Sequence, residues 1–184
     1  MSKDDIHYKK VRFEINAADN QAASQGLLGS SAHCAHLCEV LQMLVKEYAE
    51  NEFNYALHAV KAGKHKVDNI ATFCSQIEKE IELAIHNHHQ LLNDAILRTL
   101  GSHNDQFSRI LKELDFVKQS KNDLRVTSNK YQALLSEYFA QKNREEKTLS
   151  LAQEANRISR RNTWISVGAL IISTLAFLYT FFKG

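Results

Sequence analysis

Two clusters in this chain hold the residue types that bind metals or act as nucleophiles. The first is HCAHLC, His33 to Cys38, where two thiols and two imidazoles fall within six residues. Zinc takes Cys and His ligands, but a closed structural site needs four of them converging on one point. On a helix, Cys34 and Cys38 share a face four residues apart, whereas His33 and His36 turn away from it. Cys74 is the sole remaining thiol. The spacing therefore predicts that Cys34 and Cys38 are small core residues beside Leu37 and Leu41 rather than half of a metal site.

The second cluster is HNHH, residues 86–89. His86 and His89 lie three apart, and His88 falls on the apolar seam of a helix. A metal would need carboxylates or imidazoles from a neighbouring helix, and no E-x-x-H pattern supplies the di-iron bundle motif. A buried His88 would instead fix helix register, as single polar core residues do. A lesser alternative is a pH switch near its unperturbed pKa of about 6.5. The stretch AGKHK, residues 62–66, lacks the upstream glycine and the Ser/Thr of a P-loop. Neither G-x-S-x-G nor H-E-x-x-H occurs. The chain is therefore expected not to be an enzyme, to use no metal or other cofactor, and to have no small-molecule substrate.

The elements that would position these residues follow from composition. There are 184 residues, six glycines and no proline. Average usage of about 5% would supply roughly nine prolines, so the chain favours long uninterrupted helices over sandwiches or proline-rich linkers. A net charge of +2 gives no polyanion-binding signal, and no nucleic-acid partner is expected. Charge placement says more. Every Asp, Glu, Lys and Arg except Lys183 lies within residues 1–161.

Residues 163–182, TWISVGALIISTLAFLYTFF, carry no charge. Twenty residues at 1.5 Å rise span about 30 Å, the thickness of a bilayer's hydrocarbon core. Trp164 and Tyr179 lie near the two ends, where interfacial aromatics sit. Arg157, Arg160 and Arg161 flank one side against Lys183 on the other, which places the preceding residues in the cytosol. The N-terminal MSKDDIHYKK has no apolar core of a signal peptide. The expectation is a tail-anchored, single-pass membrane protein with a cytosolic N-terminus. Three cysteines, an odd count in a reducing compartment, give no disulfide framework.

Within the span, Ser166, Ala169, Ser173, Ala176 and Thr180 recur at steps of three and four. They make one face of small residues, suited to close helix–helix packing with hydroxyl hydrogen bonds across it.

The preceding part divides by pattern. Residues 1–29 read as an arm, with Val11, Phe13 and Ile15 alternating in a short strand-like run and a small, polar loop from Ala17 onward. Residues 30–139 read as a helical bundle. A first helix begins at a Ser30 or Ser31 N-cap and ends near Gly63. A second runs from near Val67 to Leu100 with its seam on Ile70, Cys74, Ile77, Ile81 and His88. A third starts at Ser102, with Asp105 completing an acidic capping box, and carries Phe107, Ile110, Leu114, Val117, Leu124, Tyr131, Leu135 and Tyr138. Matched lengths and short connections favour an all-α, antiparallel three-helix bundle of long, coiled-coil-like helices, with an intermolecular coiled coil as the rival. Residues 140–161, including KNREEK, are solvated, and no Gly or Pro interrupts them. They read as a helical stalk that carries the last helix into the transmembrane anchor at 162–184.

Three functions fit this layout. The first is a membrane scaffold or adaptor, whose cytosolic bundle binds a partner protein and whose span anchors and oligomerises it. Its partners are the lipid bilayer and a second copy or another membrane protein. The second is a membrane-perturbing or pore-forming effector, of the kind used in defence systems, assembled through the span. The third is fusion. Helical bundle, long heptad helix and tail anchor together resemble SNARE proteins in layout. Those proteins carry a central Gln or Arg layer, and here the middle of the seam holds Ser128, Tyr131 and Leu135, with Lys142 and Glu145 further on. Fusion therefore ranks last.

Overall fold

The computed structural model describes residues 3–100 and 115–183, except the side chains of 3–6, 100, 180, 181 and 183. Among these residues every element is helical and no strand occurs. The helices are α1 (Lys3–Ser24), α2 (Ser31–Lys61), α3 (Ile70–Leu100) and α4 (Phe116–Lys183). The chain falls into two compact units, Met1–Ser136 and Glu137–Gly184. The expected helix start at Ser102, with Asp105, Phe107, Ile110 and Leu114, lies outside the described residues.

The first 24 residues depart from the strand-and-loop expectation. Val11, Ile15, Ala18 and Ala22 recur at helical steps of four, three and four, and all four are buried. Phe13, which strand alternation would place beside Val11 and Ile15, is 69% exposed. The polar stretch read as a loop is helical because its alanines form the buried stripe, which lets α1 lie close against α2. The helix ends in a Schellman closure. Leu27 N–H donates to Ala22 O (2.8 Å) and Gly26 N–H to Ala23 O (3.1 Å). Gly26 takes the positive φ of 67° that this closure requires.

Both ends of α2 follow the sequence reading. Ser30 is the N-cap, accepting His33 N–H at 3.1 Å. The far end repeats the same closure, with Gly63 N–H on Val60 O, Lys64 N–H on Ala59 O and Gly63 at φ 71°. Asn69 then caps α3, its Oδ1 accepting Thr72 N–H at 3.0 Å. That start lies three residues later than Val67.

The core of the first unit lies around α2. Leu37, Leu41, Leu44, Ala49 and Phe53 are buried there, with Cys74, Ile81, Ile85, Leu92 and Ile96 from α3. From α4 come Phe116, Leu124, Tyr131 and Leu135, and Phe53 stacks on Tyr131 with ring centroids 5.1 Å apart. Lys10 pairs with Glu47 at the exposed edge of α1 and α2 (2.6 Å). Gln42 donates to Gln119 (2.5 Å), and Tyr131 hydroxyl reaches Glu50 O at 3.5 Å. Beyond Leu135 no described residue of α4 is buried.

The second unit is the remainder of α4. It holds a stretch long and apolar enough to cross a membrane, with none of that stretch buried.

A buried aspartate inside α1 separates the helical from the strand reading. Val11→Asp should lower stability by about 4 kcal/mol, because it buries an unpaired charge. Phe13→Ser should stay within about 0.5 kcal/mol. Urea unfolding followed by circular dichroism reads both, and equal losses would contradict the α1 packing.

Candidate functional site

A polar cluster of the first unit joins α1, α2 and α3 at His88. On α3 the apolar rhythm of Ile81, Ile85 and Leu92 carries His88 inward, where its exposure is 0%. An imidazole so placed must find partners for both nitrogens. Nδ1 lies 2.5 Å from Ala84 O, one turn back, so it carries the hydrogen and donates. The other nitrogen, Nε2, is then an acceptor. It lies 2.9 Å from His7 Nε2, which must donate.

Aromatic rings enclose this pair. His7 stacks on Tyr48 of α2 at 4.4 Å, and Tyr8 stacks over His88 at 6.1 Å. Asn87 donates to the Tyr8 hydroxyl. A cleft of about 320 Å³ opens beside them, lined by His7, Tyr8, Tyr48, Glu80, Leu83, Ala84 and Asn87.

The geometry holds one hydrogen between the two imidazoles. Protonating His88 would force His7 to move its hydrogen off Nε2 and would leave a buried cation. Burial accordingly lowers the His88 pKa from its usual 6.5, against a smaller opposing effect of the bond to Ala84. His88 is thus buried on the inner face of α3. Its partners His7 and Tyr8 lie in the segment that pattern alone gives as an arm with a short strand-like run. Helical steps from Val11 and Ile15 back to His7 carry the signal that would have found them.

The other clusters resolve differently. Cys34, Cys38 and Cys74 are buried. Desolvation raises all three thiols, Cys38 and Cys74 to about 11, with Glu39 and Glu78 adding to it. They remain protonated at neutral pH and are poor nucleophiles. His33 does not face solvent. It is 2% exposed, accepts Gly29 N–H on Nδ1 (3.2 Å) and pairs through Nε2 with Asp19 of α1 (3.0 Å). His86 bonds to Glu82 O, and His89 stacks on Phe116 at 6.2 Å. Among the described residues, no three His, Cys, Asp or Glu side chains gather closely enough to hold a metal ion.

In the second unit, Arg157, Arg160, Arg161, Trp164 and Tyr179 are exposed, as are Ser166, Ala169, Ser173 and Ala176. The side chains of Thr180 and Lys183 lie outside the described set. Ser166 Oγ donates to Asn162 O (3.0 Å) and Thr174 Oγ1 to Leu170 O (2.8 Å). These two hydroxyls are therefore satisfied within their own helix. Comparison with protein-family models, curated proteins and solved structures finds no match.

The lowered His88 pKa fixes the sign of a pH dependence. The unfolded chain binds a proton at His88 below about 6.5 while the folded chain does not, so stability is full above that pH and falls below it. Melting of the full chain in detergent should therefore drop between pH 7.5 and pH 5.5. His88→Phe should flatten part of that drop, and an unchanged slope would remove His88 as its source.

Proposed function

We propose that this chain is a membrane-anchored scaffold. Its helical domain stands on the cytosolic side, one span fixes it to the bilayer, and contacts between spans gather copies together. The carrying observation is the uncharged stretch 163–182 of α4, long and apolar enough to cross a membrane and with none of its described residues buried. Exposed apolar surface on that scale marks a lipid or protein contact. Arg157, Arg160 and Arg161 against Lys183 support a cytosolic domain by the positive-inside bias.

The order of contacts supports an up-and-down bundle. His7 meets Tyr48 while Asp19 meets His33, so α1 runs against α2. Gln42 meets Gln119 while Phe53 meets Tyr131, so α4 runs with α2. In this reading α1 is a fourth member of an antiparallel bundle. The small face of Ser166, Ala169, Ser173, Ala176 and Thr180 gives the spans a way to approach closely. Ser166, already bonded to Asn162 O, enters lipid without an unsatisfied donor.

Topology tests the proposal. In microsomes, a glycosylation acceptor on a long polar extension after Gly184 should be modified, while one before Lys3 should not. Protease added outside should digest residues 1–161. The chain should resist alkaline carbonate extraction, and loss of residues 162–184 should release it. The reverse glycosylation pattern, or extraction of the full chain, would refute the reading.

A further inference from the structure

Two rows with a seven-residue repeat run along α4 from residue 151 to 179. Leu151, Ile158, Ile165, Ile172 and Tyr179 make one row. Ala155, Asn162, Ala169 and Ala176 make the other, and the rows interleave at steps of four and three without a break in phase. That is a heptad seam, with small residues and one Asn at the a positions and large ones at d. Ala152, Ser159, Ser166 and Ser173 border it with further small side chains. The large row is more than half exposed at every position.

Lipid accounts for exposed apolar residues after 163, whatever their period. It does not account for the seam beginning a dozen residues earlier, among Glu154, Arg157, Arg160 and Arg161. There Leu151 and Ile158 are exposed beside charged neighbours. All four charges avoid the a, d and e positions, with Glu154 and Arg161 flanking at g, so the two rows stay neutral through a charged segment. A partner helix, rather than lipid, suits such a row.

The chemistry of the seam identifies the partner. Copies inserted the same way lie parallel at one depth, so a two-fold contact sets each seam residue against itself. The Asn162 carboxamide both donates and accepts, and is complementary to its own copy. A single Asn at an a position fixes register in two-stranded pairs at some cost in stability. Ala155, Ala169 and Ala176 leave room for the backbones to approach. Arg157 and Arg160 lie off the seam, and Arg161 at g falls opposite an e-position serine in a parallel pair, so pairing does not drive the arginines together.

We propose that residues 151–179 form a parallel, in-register contact between two copies of this chain, with Asn162 bonded to Asn162 of the partner subunit. This rests on the single-pass insertion proposed above and extends the contact out of the membrane into the charged segment.

Single cysteines introduced into the full chain in phosphatidylcholine vesicles test it by disulfide formation under mild oxidation. The native thiols are buried, so the unmodified chain gives the background. Ala155→Cys and Ile158→Cys should give a dimer band, and Gln153→Cys and Arg160→Cys on the opposite face should not. Asn162→Val should keep the chains associated but lose the single register, spreading cross-links to Ser159→Cys in the same background. Bands of equal strength on both faces, or none at 155 and 158, would overturn the contact. Carbonate extraction of the same vesicles reads the membrane reading separately. A chain that washes off refutes insertion, whereas an integral chain without seam cross-links refutes only the pairing.

Discussion

Exposed apolar surface on residues 163–182 is the constraint that governs this molecule. Ile165, Leu170, Ile171, Leu175, Phe177 and their neighbours stand open on all sides of α4. Left in water, they would cost on the order of 20 kcal/mol at the usual value per large side chain. That exceeds the roughly 5–15 kcal/mol that holds an ordinary domain together. No rearrangement within the helical domain could offset such a penalty, so the surface has to be met by lipid or by another helix. The same demand explains the composition upstream. Every charge but Lys183 lies before 162, the stretch 163–182 holds none, and Arg157, Arg160 and Arg161 gather at its entry.

The long helices were legible because their apolar spacing, caps and breakers agree. Ser30, Gly63 and the seam through Cys74, Ile81 and His88 all act where local physics places them. The N-terminal helix was not legible for a definite reason. Val11, Phe13 and Ile15 satisfy a period of two as well as a helical step. The residues that break the tie are Ala18 and Ala22, whose small side chains look the same in a loop as in a tightly packed stripe. Gly26 and Gly29 then suggest a loosely structured region, whereas Gly26 closes a helix.

That ambiguity hid the candidate site as well. The α3 pattern alone places His88 in the core, but its hydrogen-bond partner is 81 residues away on α1. His33 shows the same effect. Considered on α2 alone it points away from the cysteines. It is nevertheless buried, because Asp19 of α1 meets it there. Pairings of this kind depend on which helices touch, and a single sequence carries little of that information. In the second unit the heptad rows are written plainly in the residues, but the change of composition at 162 draws attention to the small residues inside the span alone.

The connection between α1 and α2 has a consequence for any molecule that would take α1's place. Only residues 25–30 separate the two helices, and the closure at Gly26 leaves little slack. A tether this short keeps a detached α1 at an effective concentration in the millimolar range beside its own groove. Rebinding is then a one-molecule event, indifferent to dilution. A rival helix from solution competes against that local excess, so it needs an intrinsic affinity well above α1's own to remain seated.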